Sequence, residues 1–239
     1  MSSSLWNKKI NCPFCKFEFE TSRMRSSVIK IKEKMTDFGN IYEGECAYLY
    51  AVTVCPNCTF AALNKDFDSI RPDYETKVME ASKMVRESGK KKPEIFGLGP
   101  MAPEVSLKRH ELAIAFTKMR SYSALGTLAG LYMHLVWINR LRGDLEREKA
   151  AMAEAVKAYK DYHEKGGDLP EKLGEPGILY LIGELHRRLG DYREARNYYG
   201  RALASKEIRS FPAIADMTRD MMLAAKTAME KASMTEQAP

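Results

Sequence analysis

Two short stretches near the start of the chain alternate apolar and polar residues, and most of the chain beyond them repeats its apolar positions every third or fourth residue. Phe17 to Thr21 alternates, and Tyr48, Tyr50, Val52 and Val54 fall on one side of an extended segment; both show the period of a half-buried strand. Between Arg71 and Glu87 the period lengthens, and Tyr74, Val78, Ala81 and Val85 share one face of a predicted helix. Ser88-Gly89, Lys90-Lys91-Lys92-Pro93 and Gly97-Leu98-Gly99-Pro100 then supply breakers throughout, which predicts a loop. From Ser106 onward only helical periodicity is present. Leu112, Phe116 and Met119 make one stripe, and Ser123 to Leu141 is apolar on most sides, as suits a central buried helix. The pattern predicts an α+β chain that is mostly α. It has a small module over residues 1–88 with a closing helix, a linker over 89–105, and a helical domain over 106–239.

Within the helical part, Gly183, Gly190, Tyr192, Ala195, Tyr199 and Ala202 follow the small-residue and aromatic spacing of a tetratricopeptide repeat. Small residues at 183, 195 and 202 let two antiparallel helices approach, and Tyr192 and Tyr199 fill the space between them. A weaker copy runs from Tyr132 to Tyr162, with Gly143-Asp144-Leu145 at its turn and Ala155 at the later small position. Gly143 and Gly190 lie 47 residues apart where tandem repeats would give about 34, the difference being the loop around Gly166-Gly167 and Gly174 to Gly177. A peptide groove of the usual kind takes about three stacked repeats, so two imply packing and permit partner binding.

Composition narrows this picture only a little. With 45% apolar and 29% charged residues over 239 positions, the chain reads as globular, with one small and one medium unit. The most apolar stretch, Ala124 to Ile138, is 15 residues long and holds Gly126, Thr127, Gly130 and His134, short of the roughly 20 apolar residues of a membrane span. No apolar run follows the first lysines, so neither a secretory signal nor an anchor is expected, and the expected location is the cytoplasm. A net charge of +6 is spread thinly and marks no polyanion partner by itself.

The cysteines carry the sharpest chemistry. Residues 12–15 read Cys-Pro-Phe-Cys and residues 55–58 read Cys-Pro-Asn-Cys. Cys12, Cys15, Cys55 and Cys58 thus form two C-x2-C knuckles, the pattern that structural zinc uses twice per ion. Two thiolates three positions apart on a tight turn can face one ion, and two such turns complete a tetrahedron of ligands, which also suits iron. Four thiolates leave no open position, so the ion would be structural, in a module resembling a zinc ribbon. Cys46 reads as a small buried hydrophobe, and His110, His134, His163 and His186 fall in predicted helices outside any metal-ligand pattern. Gly97-Leu98-Gly99 lacks the G-K-[ST] of a phosphate loop, and no nucleophile-base pair or carboxylate dyad stands at telling spacing, so no enzyme site is expected.

Cys12-Pro13-x-Cys15 with Phe19, Arg23 and Arg25, Asp37-Phe38, and Tyr50-x-Val52-x-Val54-Cys55-Pro56-x-Cys58-x-Phe60-Ala61-Ala62 together resemble a bacterial family known as domain of unknown function 2225. Leu179-Tyr180-Leu181-Ile182-Gly183-Glu184-Leu185 and Arg188-Leu189-Gly190 extend the resemblance over most of the chain. It implies a metal knuckle joined to tetratricopeptide-like helices and brings no established activity. Metal knuckles often carry Gly after the second cysteine, where positive φ is favourable. Lys16 and Thr59 stand there in this chain, which predicts local strain or a different turn.

The reading favoured by sequence is an interaction or adaptor protein, its front module held by zinc and its helices presenting a surface to a protein partner. A second reading is a nucleic-acid-binding ribbon that uses Arg23, Arg25, Lys30, Lys32 and Lys34 with Phe17, Phe19 and Tyr48. Charge works against it: residues 1–60 hold eight Lys or Arg and six Asp or Glu, a balance of +2, which a divalent ion in four thiolates cancels. A third reading is a thiol-based redox or metal sensor.

Overall fold

Each CPxC knuckle is the loop of a β-hairpin. In the computed structural model, which describes residues 4–69, 93–120, 124–165 and 170–236 together with positions 77, 79, 80 and 83, β1 (Leu5–Asn11) pairs antiparallel with β2 (Glu18–Met24). Ile10 stands opposite Phe19 and Asn11 opposite Glu18. The knuckle of Cys12 and Cys15 closes that hairpin. Between the two cysteine pairs lies a second hairpin, β3 (Lys30–Lys34) with β4 (Asn40–Glu43). The third, β5 (Val52–Val54) with β6 (Ala61–Leu63), encloses the knuckle of Cys55 and Cys58.

One strand expectation changes. Residues Ala47–Tyr50 form a 3-10 turn, and only Val52–Val54 is extended. Tyr48 and Tyr50 are used as core plugs, with Tyr48 stacked on Trp137 at 4.6 Å, and Val52, Thr53 and Val54 are all buried. A strand covered on both faces does not alternate. The β3–β4 hairpin has no counterpart in the sequence reading, because every residue of β3 is exposed and no buried face imposes a period. Of the helix expected over Arg71–Glu87, positions 77, 79, 80 and 83 are described and are helical, and the rest lies outside the described residues.

The remainder is helical: α1 (Pro103–Lys118), α2 (Leu125–Arg142), α3 (Leu145–Lys165), α4 (Gly174–Arg188), α5 (Tyr192–Ala204) and α6 (Pro212–Glu236). Proline at the first position of α1 fits, since its missing N–H would have had no partner there. The turns after α2 and α4 are built alike. Gly143 and Gly190 take φ of 70° and 87°, and Asp144 N donates to Asn139 O as Asp191 N donates to His186 O. This is the left-handed glycine cap. Asp144 and Asp191 then accept from the backbone N–H groups of Arg147 and Glu194, capping the next helix. The α4–α5 pair closes tightly: a Cβ on Gly183 would lie 2.8 Å from the Tyr199 ring and 3.1 Å from Ala195 O.

One apolar core runs through hairpins and helices together, joining Ile10, Phe14, Phe60 and Phe67 to Phe116, Leu131 and Leu185. Phe60 meets Phe14, Phe67 and Phe116 with ring centroids 4.6, 5.2 and 5.4 Å away. Polar links reinforce it. Asp37, between β3 and β4, pairs with Arg140 of α2. Glu184 of α4 binds Arg187, Arg188, Thr36 and Tyr199 with no exposed surface. Phe38, at φ 62°, places its ring 5.3 Å from Tyr180. Buried Arg109 of α1 donates to the carbonyls of Ile95 and Gly97, fixing the chain that precedes the helix. No helix among the described residues is long and apolar enough to cross a membrane.

Candidate metal centre

The sulfurs of Cys12, Cys15, Cys55 and Cys58 all lie within 4.8 Å of one another, close enough to hold a metal ion. Cys12 Sγ is 3.5 Å from Cys58 Sγ, and Cys15 Sγ is 3.6 Å from Cys55 Sγ. The fold thus brings together the four cysteines that the sequence singles out as candidate ligands. Both turns have the same backbone plan. Cys12 N donates to Phe17 O and Lys16 N to Cys12 O, while Cys55 N donates to Phe60 O and Thr59 N to Cys55 O. That plan requires a left-handed residue after the second cysteine. Lys16 and Thr59 adopt it, at φ 58° and 64°. The expected strain is thus present in the standard turn rather than avoided by another one, and it costs a non-glycine residue roughly 1–2 kcal/mol.

Backbone N–H groups of Phe14 and Cys15 point to Cys12 Sγ, that of Cys58 to Cys55 Sγ, and that of Phe60 to Cys58 Sγ. Hydrogen bonds from Cys55 and Cys58 hold the Cys12 thiol down to about 2, and the contact with Cys12 pushes both of those thiols up. Thiols packed this closely oppose one another's ionisation, and a bound cation favours the thiolate forms. Cys12, Cys55 and Cys58 are almost without exposed surface, whereas Cys15 is half-buried.

Links that the sequence did not reveal hold the two hairpins in place. Arg23 Nη2 of β2 donates to Thr53 Oγ1 of β5 at 2.8 Å, and that hydroxyl donates to Asn64 Oδ1, whose amide donates to Tyr50 O. Their signal is three separate polar residues among apolar ones, with no spacing rule to connect them. Arg23 is thereby a strut between hairpins. Of the aromatic residues suggested for nucleic-acid stacking, Phe17 is exposed, Phe19 packs on Phe67 and Tyr48 is buried. Lys30, Lys32 and Lys34 lie exposed on β3.

The remaining cysteine and histidines stand apart. Cys46 belongs to a second apolar cluster with Tyr48, Leu49, Tyr50, Met101 and Leu107, and burial raises its thiol. His110 Nε2 and His134 Nδ1 are 3.1 Å apart; His163 lies against Glu175 and His186 against Asp191.

Residues 5–224 match the model of a family described as "Uncharacterized protein conserved in bacteria (DUF2225)". An alignment 92 positions long, covering 34% of this chain, is 34% identical to an uncharacterized protein of Borreliella burgdorferi; the chain spans about a third of that protein's length, 31%. No solved structure matches the chain.

Proposed function

The chain belongs to this family of uncharacterized bacterial proteins, and we propose that it is a zinc-stabilised helical adaptor that presents its helices to a protein partner. The observation that carries the zinc reading is the sulfur geometry. A tetrahedron of sulfurs about 2.3 Å from an ion has edges of roughly 3.8 Å, and the closest pairs here stand at 3.5 and 3.6 Å. Cys12, Cys15, Cys55 and Cys58 would hold the ion. Bound there, zinc supplies cross-linking of two hairpins and no reactive position; iron would occupy the same ligands. The paired glycine-aspartate turns and the close approach at Gly183 support tetratricopeptide-like packing of α2 to α5. Thiols arranged as metal ligands support a reducing compartment, the cytoplasm. Arg23 engaged by Thr53 and Tyr48 stacked on Trp137 favour a protein over a nucleic acid as partner.

Metal analysis of the purified full-length chain tests the first part: one zinc per chain is expected, and a metal-free preparation with full native stability would sink it. Cross-linking in bacterial cells tests the second; recovery of nucleic acid rather than a protein partner would overturn it. The partial exposure of Cys15 favours a redox-sensing second reading. Zinc release under mild peroxide that is slowed by no change at Cys15 would rule that out.

A further inference from the structure

Two imidazoles, His110 buried and His134 half-buried, meet end to end between α1 and α2, away from the cysteines. His110 Nδ1 lies 2.8 Å from the carbonyl oxygen of Ser106, and His110 Nε2 lies 3.1 Å from His134 Nδ1. A carbonyl oxygen only accepts, so His110 Nδ1 carries the proton. Burial keeps both rings neutral, lowering His110 to about 4 and His134 to about 3. A neutral ring has one N–H, so His110 Nε2 accepts and His134 Nδ1 donates. His134 Nε2 is left with its lone pair.

His134 lines a cavity of about 400 Å³, between Asn64 and Lys65 after β6 and Gly126, Thr127 and Gly130 on α2. Asn64 is already engaged by Thr53 and Tyr50; Lys65 is exposed and close enough to act on the His134 charge. Gly126 has a packing reason, since a Cβ there would come 2.9 Å from the Tyr162 ring. Gly130 has none: a Cβ would meet nothing within 4 Å. Glycine within a helix costs about 1 kcal/mol against alanine, and neighbouring side chains do not require it at 130. What it does is keep the cavity open beside an imidazole acceptor.

We propose that this cavity binds a small hydroxycarboxylate, whose hydroxyl donates to His134 Nε2 and whose carboxylate faces the Lys65 ammonium. A neutral acceptor of fixed tautomer next to a cation selects a ligand that offers a donor and a negative charge together. The site uses none of the cysteines, and so stands or falls separately from the metal.

The test takes full-length protein as purified, with ¹⁵N-labelled histidine, and titrates it with L-lactate and with propionate, which lacks the hydroxyl. Long-range ¹H–¹⁵N spectra should show Nδ1–H tautomers at both His110 and His134. Lactate should shift His134 Nε2 saturably, and propionate should bind about fivefold more weakly or worse, the effect of one lost hydrogen bond. Gly130→Leu should fill the cavity and abolish the lactate shift while both tautomers persist. An Nε2–H tautomer at His134, no saturable lactate shift, equal binding of the two acids, or a lactate shift that survives Gly130→Leu would each overturn the proposal.

Discussion

Arg140 Nη2, on α2, lies 2.7 Å from Oδ2 of Asp37, a carboxylate with no exposed surface. Arg140 also reaches Glu148 at 2.7 Å, and Arg188 of α4 approaches the same Asp37 oxygen at 3.7 Å. The turn between β3 and β4 is therefore clamped to two helices by charge. Removing one partner of a buried pair strands the other in a poor dielectric and costs about 3–5 kcal/mol. Asp37→Ala should lower the free energy of urea unfolding by about that much, and a loss below 1 kcal/mol would show that Arg140 and Arg188 regain water freely.

The shared core bears on the metal centre. Phe60, two residues beyond Cys58, is fully buried against Phe116 of α1. Cys55→Ser should abolish stoichiometric zinc and lower the melting temperature of the whole chain in one calorimetric transition. Two transitions, one lost and one unchanged, would instead mark residues 1–88 and 106–239 as independent units.

Two glycines should respond in opposite directions. Gly183→Ala drives a Cβ to 2.8 Å from the Tyr199 ring, and overpacking of this kind costs about 1–3 kcal/mol. Gly130→Ala enters open space and should stabilise the chain by about 0.5–1 kcal/mol through helix propensity alone. Thermal melts of both variants check this; destabilisation by each would mean that the α2 face is more closely packed than the structure has it.

Left-handed backbone at the knuckles is a removable cost. Lys16→Gly should raise stability by about 1 kcal/mol, since the Lys16 side chain is exposed and the bond it gives up, from its ammonium to Pro13 O, is open to water. Thr59→Gly should gain less, because it gives up the hydroxyl bond to Cys58 O at 2.6 Å. Chemical denaturation at equal zinc loading measures both, and a loss in Lys16→Gly would contradict the strain.

His110 and His134 predict an acid-sensitive fold. Burial depresses both, to about 4 and about 3 from an ordinary 6.5, so below pH 6.5 the unfolded chain binds protons that the folded chain refuses. Their stabilisation is complete above pH 6.5 and is lost as pH falls towards 4, by up to about 2 kcal/mol per ring at pH 5. Urea midpoints at pH 7 and pH 5 should differ accordingly, and His134→Gln should shrink the difference. An unchanged pH slope in that variant would remove the imidazole as its cause.

The four cysteines, the glycine-aspartate turns and the helices from Ser106 onward were legible because each rests on a local rule, although Pro103 to Val105 and Gly174 to Gly177, expected as linker and loop, form the first turns of α1 and α4. Knuckle spacing is set by one turn, Gly143 and Gly190 by one backbone angle, and α2 to α5 by periodicity over several turns. The extended run expected at Tyr48–Val54 failed where tertiary packing took over, since Tyr48 gains more against Trp137 than on a strand face. β3 gave no signal because its residues face water, and β4 because only Asn40 and Tyr42 of its four residues are half-buried.

Sequence alone determined that two cysteine pairs turn alike and that most of the chain is helical, because turns and periods are properties of neighbouring residues. Only the tertiary structure decided that the two knuckles meet, that Arg23 is a strut, that Asp37 is clamped by Arg140, and that His110 and His134 stand within hydrogen-bond distance. Each of those depends on groups tens of residues apart, brought together when apolar surface is buried, and no local pattern in the chain encodes such a distance.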